Sequence, residues 1–236
     1  MTATATGVDS REIPGVGRLD FEESERSRAY WFLPEGGKRR TRLPSVTGII
    51  SGTWPKPGLL EWYLKHGGDA PRLRDESAER GKRVHSFIES YMRDDLRPFS
   101  DFPTDTWAFL KGASQFLVDY DPIPIESELL VCHPEFSYAG RLDLIADIAG
   151  VTTLLDFKTN PEGRIYPEAH VQTTAYAIAH ERCGGVEIAQ TLLVGINAEG
   201  GYNAVPGADA TKTWAVTRDF YSQIQRFKRE LNGGKS

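Results

Sequence analysis

The sequence predicts an α/β layered domain with a mixed central sheet flanked by helices. Three observations carry that expectation. The 236 residues suit one domain with appendages. Helical patterns fill most of residues 44–120, and strand-like runs begin only after the break at Pro122 and Pro124. A helix, a strand and a final helix then follow the strand meander, which is the element order of a layered fold.

Each element has its own signal. Residues 1–24 are polar and weakly patterned and read as a flexible arm. The remaining 25–236 read as one domain, with a hairpin and helical part over 25–120 and a sheet with flanking helices over 121–236. "AYWFLPEGGKRRTRL" (29–43) reads as a hairpin, because aromatic residues lead into Pro34, Glu35, Gly36 and Gly37 before a basic return strand. "PSVTGIIS" opens a short helix, with Ser45 placed to cap it. A second short helix over 59–67 stops at Gly67 and Gly68. Val84, Phe87, Ile88 and Tyr91 fall at helical spacing within 73–93, and a further helix is expected over 105–119. Strands are expected at 125–131, 139–148, 151–159 and 189–197, with a helix between them at 167–182. "YNAVPG" reads as irregular, "TKTWAVT" as a last strand, and 218–231 as a C-terminal helix.

Composition narrows the function classes. Apolar content of 39% with 26% charged residues is ordinary for a soluble globular protein. No apolar run reaches the length of a membrane span, and the N-terminal stretch lacks the basic and apolar regions of a signal peptide. A cytoplasmic protein without membrane partners is expected. Cys132 and Cys183 have no metal-ligand spacing and read as reduced thiols. The net charge of -5 argues against a non-specific nucleic-acid coat protein, but leaves room for a local basic surface around acidic catalytic groups.

The strongest chemical signal is "LLDFKTN" (154–160). If Ala149 and Gly150 form a two-residue turn, Ile148 faces Val151, and the same count sets Asp143 opposite Asp156. Asp143, Ile145, Asp147, Thr152, Leu154, Asp156 and Lys158 then share one face. Leu142, Leu144, Ala146, Ile148, Val151, Thr153, Leu155 and Phe157 take the other, which belongs in the core. Two adjacent carboxylates repel unless a cation lies between them. Lys158 offsets part of that charge, and a hard divalent cation fits better. A solvated sheet edge is the bland alternative.

Other segments add candidates. His85 and Glu89 lie four apart on one helix face, as do Gln172 and Tyr176 on another. Glu128, with Glu126 on the same side, lies on the strand before the hairpin. Arg80, Lys82 and Arg83 flank His85, and Lys38, Arg39, Arg40 and Arg42 make a basic run in the first hairpin, all suited to phosphate contacts. Trp31 and Trp54 could stack on bases, although such aromatics more often pack.

In order along the chain these are Gly81 and His85, Glu128, Gly140 and Asp143, Asp156 and Lys158, then Gln172 and Tyr176. From Pro44 to Tyr176 the chain resembles the PD-(D/E)XK nuclease superfamily, and within it the RecB-like, phage-type exonuclease branch. The "PD" of the family name is reduced here to Asp143 behind Leu142. The resemblance implies a restriction-endonuclease-like core and a Mg²⁺- or Mn²⁺-dependent deoxyribonuclease using one or two ions. It implies His85, Asp143, Asp156 and the Phe157 carbonyl as metal ligands, and Lys158, Asp156, Asp143 and Glu128 as catalytic groups. Glu89 is then a partner of His85, while Gln172, Tyr176, Arg80, Lys82 and Arg83 brace the site or touch DNA. The cysteines of iron–sulfur relatives are missing, so no cluster is expected. DNA, and a recombination or single-strand-binding protein, are the partners implied, in a recombination, repair or replication role. Two alternatives are a catalytically inactive nucleic-acid-binding domain on the same fold and a non-nuclease metal-binding interaction module.

Overall fold

The computed structural model describes residues 6–24 and 27–233. Two sheets organise it. The first is antiparallel, in the order β1 (Thr6–Ile13), β2 (Gly17–Ser24), β3 (Ser27–Pro34) and β4 (Thr41–Leu43). The second holds β5 (Ile123–His133), β6 (Tyr138–Ile148), β7 (Val151–Thr159), β8 (Gln190–Ile196) and β9 (Tyr202–Pro206), in that spatial order. It is a mixed sheet, because β7 and β8 run parallel while the other neighbours are antiparallel. Helix α5 (Pro167–Arg182) supplies the crossover that a parallel pair requires.

Helices cover both faces of the second sheet, as the sequence predicts. On one face α3 (Ala70–Met92) and α4 (Trp107–Tyr120) pack Val84, Phe87, Phe116 and Leu117 onto Leu144, Leu155 and Phe157. On the other, α1 (Val46–Ser51), α5 and α6 (Thr211–Leu231) pack Ile49, Ala175 and Trp214 onto Ile145 and Leu154. A third cluster joins the first sheet to the second through Leu19, Phe21, Phe32, Leu130, Cys132 and Cys183. Helix α2 (Pro57–His66) lies at the edge, with Leu60 and Leu64 exposed. No described helix is long and apolar enough to cross a membrane.

Local chemistry explains most boundaries. Ser45 caps α1, its hydroxyl accepting from the Gly48 amide at 2.9 Å. Ala149 and Gly150 both have positive φ, 52° and 85°, as the tightest hairpin turn requires. The β6–β7 register follows the count made from that turn, from Ile148 opposite Val151 to Leu144 opposite Leu155.

Four expectations are corrected. Within the expected arm, residues 6–24 form β1 and β2, and the first five residues lie outside the described ones. Alternation was the overlooked signal there, since Leu19 and Phe21 face the third cluster while their neighbours are charged. "YNAVPG" is not irregular, because Tyr202–Pro206 pairs with β8 as an edge strand, the place where proline is tolerated. "TKTWAVT" is the start of α6, where burial of Trp214 and Thr217 overrides the β propensity of its threonines and valine. Leu142 leaves the face shared by Leu144 and Leu155 and packs with Ile145 in the opposite cluster. The alternation breaks at Asp143, level with Glu128 on β5, which adopts a left-handed φ of 49°.

Candidate functional site

That break builds the site. A left-handed residue inside a strand is strained for any side chain but glycine, and such irregularities re-aim side chains. Here Glu128 and Asp143 both turn toward α3. His85 Nδ1 lies 3.9 Å from the Glu128 carboxylate and 3.8 Å from that of Asp143. His85 Nε2 lies 3.3 Å from the Phe157 carbonyl. Where the β6–β7 ladder ends, Asp143 Oδ2 accepts from the Phe157 amide at 2.8 Å. One donor atom from each of His85, Glu128 and Asp143 falls within 4.8 Å of the others.

Asp156 stands beside this group rather than in it. Its side chain is buried, with Oδ2 2.5 Å from Lys158 Nζ and Oδ1 accepting from Gln172 Nε2 at 3.0 Å. Gln172 also lies 3.3 Å from the Tyr176 hydroxyl, and its own oxygen faces Lys158 Nζ at 3.4 Å. So α5, through two residues one turn apart, braces the Asp156–Lys158 pair from behind. Tyr176 is buried, and its ring covers Gly140 so closely that a Cβ there would lie 2.4 Å from Tyr176 Cε1. Gly140→Ala is therefore expected to push the ring away and cost about 1–3 kcal/mol. Urea unfolding of the variant measures it, and unchanged stability would contradict this packing.

Electrostatics divide the site in two. Burial opposes protonation of His85, but Asp143 and Glu128 outweigh it and hold its pKa up to about 9. Burial raises Asp156 to about 6, with Lys158 pulling the other way. Burial also opposes charge on Lys158, yet Asp156 and then Asp143 raise it above its ordinary value. The pocket between Glu128 and Asp143 thus favours positive charge. Two hard carboxylates, an imidazole and a nearby backbone carbonyl fit Mg²⁺ or Mn²⁺ in donor type.

The remaining candidates separate by position. A cleft of about 1160 Å³ reaches His85, Glu128 and Asp143, and Lys82 and Glu89 line it too. Glu89 pairs with Arg93 at 2.5 Å instead of partnering His85, because Arg93 lies four residues on along the same helix. Arg80 turns toward α4, and Arg83 toward the turn just before it. Arg80 lies over the Phe109 ring at 4.7 Å, and Arg83 faces Asp105 at 3.5 Å. Glu126 is exposed and does not join Glu128, whose left-handed backbone breaks the alternation between them. Trp54 packs and donates Nε1 to Thr217 Oγ1 at 3.0 Å, while Trp31 lies under Arg40 at 4.6 Å.

Arg141 was missed by sequence reasoning. It reaches Asp9 at 2.7 Å and Glu128 at 3.7 Å, and it covers the Phe21 ring at 4.6 Å, tying the first sheet to the site. Its place between Gly140 and Asp143 was the available signal. The cleft wall formed by Arg218, Tyr221, Gln225 and Arg229 of α6 was missed as well, although 218, 221, 225 and 229 recur at helical spacing.

No family model matches the chain, and no curated protein matches it. Among solved structures it is similar to a candidate exonuclease from Eubacterium rectale, at 14% identity over 66% of this chain and 69% of that one, with a TM-score of 0.42. It is also similar to an alkaline exonuclease from Laribacter hongkongensis, at 10% identity over 80% of this chain and 93% of that one, with a TM-score of 0.40. The same alkaline exonuclease in complex with dAMP gives 13% identity over 64% of this chain and 85% of that one, with a TM-score of 0.36. These overlaps are partial and bring no residue-by-residue correspondence.

Proposed function

We propose that this protein is a Mg²⁺- or Mn²⁺-dependent DNA nuclease that degrades strands as an exonuclease in recombination, repair or replication. The observation that carries the reading is the convergence of His85, Glu128 and Asp143, from three separate elements, beside Lys158 paired to the buried Asp156. A sheet edge with tolerated acids has no reason to bring a helix histidine between two strand carboxylates.

His85, Glu128, Asp143 and the Phe157 carbonyl would hold the ion, with Asp156 as a further ligand once it turns from Lys158. A bound divalent ion supplies charge stabilisation at the phosphate and a more acidic water. The protein's own groups do the rest. Lys158 carries its proton at Nζ in the ground state, beside the Asp156 carboxylate, where it orients a water and offsets charge developing on the phosphate. Gln172 fixes that pair by bonding to both members. Arg141 holds Glu128 toward the cleft.

The test is degradation of end-labelled single- and double-stranded DNA with Mg²⁺, Mn²⁺ or chelator. Cleavage is expected only with metal, releasing products from the ends, and Asp143→Asn is expected to lower the rate by about 10²-fold or more, the scale of losing one transition-state-stabilising group. Folded wild-type protein that cleaves no linear DNA with either metal would sink the reading.

A further inference from the structure

The cleft above the site is lined by Arg28, Arg42, Lys82, Arg141, Arg218 and Arg229. Four of these are matched by nearby acids. Arg28 meets Glu23, Lys82 meets Glu79 and Arg141 meets Asp9, each at 2.7 Å, and Arg218 meets Asp219 at 2.8 Å. Arg42 and Arg229 are exposed, and among the described residues neither has a carboxylate at ion-pair distance. Arg229 only turns its Nε to the Gln225 carbonyl of its own helix, at 3.4 Å. Lys38, Arg39, Lys56 and Lys65 are also exposed without such a partner, but they lie outside the cleft lining, so what marks these two arginines is their place in the cleft that reaches Glu128 and Asp143. Two arginines without carboxylate partners in one cleft leave positive charge there for an incoming anion.

The two arginines come from different walls. Arg42 projects from β4, the edge strand of the first sheet, and Arg229 from the far end of α6. Cations on separate elements of a large cleft suit a repeated anion better than a single small one. We infer that Arg42 and Arg229 grip the phosphodiester backbone of a nucleic-acid strand laid along the cleft between β4 and α6, past Glu128 and Asp143. The choice of nucleic acid as the polyanion rests on the nuclease reading.

The experiment is a salt series of binding by fluorescence anisotropy, with chelator present so that nothing is cut, on labelled single-stranded and duplex DNA. Each phosphate contact contributes about 0.7 to the logarithmic salt slope on a single strand and about 0.9 on a duplex. Arg42→Gln with Arg229→Gln should therefore lower the slope by about 1.4 or about 1.8, and the arm that shows the loss identifies the strand form. Arg42→Lys with Arg229→Lys should restore it, since a lysine still neutralises a phosphate. Arg72→Gln with Arg226→Gln, at exposed positions outside the cleft lining, should leave it unchanged. A wild-type slope in the Arg42 and Arg229 double variant, on both substrates, overturns the grip and leaves the nuclease reading standing. A wild type that binds through these arginines yet cleaves nothing with Mg²⁺ or Mn²⁺ upholds the grip and overturns the nuclease reading. A wild type that binds neither DNA overturns the inference.

Discussion

Lys158→Ala is expected to lower DNA cleavage by about 10²–10⁴-fold, the range for losing a positioned proton-handling group, and to weaken the fold as well. The second effect follows from burial. Asp156 is 1% exposed and Lys158 31% exposed, so removing the lysine strands a carboxylate that water cannot reach. Breaking such a pair costs about 3–5 kcal/mol when the remaining charge stays buried. Burial raises the folded pKa of Asp156 to about 6, above its ordinary value. A raised carboxyl favours the fold in its neutral form, so its contribution is full below the unfolded pKa and is lost as pH rises through the folded one. The stability deficit of Lys158→Ala should therefore grow with rising pH, while Asp156→Asn added to it should recover stability without recovering activity. Urea unfolding above and below about pH 6, beside single-turnover cleavage, separates the two roles. An active double variant would remove the pair from catalysis.

Trp214→Ala should be the most damaging change outside the site, at about 3–5 kcal/mol for a fully buried aromatic. Trp214 is 1% exposed and packs edge-on against Tyr138 at 4.9 Å. Helix α6 is otherwise amphipathic in the wrong sense for a buried helix, with Val216, Phe220 and Phe227 exposed. Its buried anchors are Trp214 and Thr217, both near its start. Losing the larger one should free the whole helix and with it the cleft wall that bears Arg218 and Arg229. Limited proteolysis should then cut within 211–231, and unaltered resistance with unchanged unfolding would contradict this anchoring.

The hairpin was legible because both its turn and its pairing are local. Ala149 and Gly150 set the register as counted, as far as Leu144 opposite Leu155, and the ladder stops short of the expected pairing of Asp143 with Asp156. The turning of Asp143 toward His85 was not legible, since it depends on the left-handed backbone of Glu128 on another strand. Helices with a clear apolar face, such as the one bearing Val84, Phe87 and Ile88, were read within a few residues. The start of α6 was misread because tertiary burial of one tryptophan outweighs local propensity. The strands β1 and β2 were missed because charged residues alternate with their few apolar ones, and those apolar residues are buried against distant β5 and β6. Basic residues were the least legible group. Arg80, Lys82 and Arg83 are near neighbours in sequence, yet only Lys82 lines the cleft.

The contact between His85 and the Phe157 carbonyl joins residues 72 apart, and the Arg141–Asp9 pair spans 132. Helices and the β6–β7 hairpin form from neighbours in sequence, whereas these closures must each gather a long loop, and long loops close late in refolding. A chain part-way to its native state would already show helical signal and a zipped hairpin while its donor atoms remained apart. If the proposed nuclease activity holds, competence to cut a phosphodiester would then arrive with the last long-range contacts, and a half-folded copy would leave nucleic acid intact.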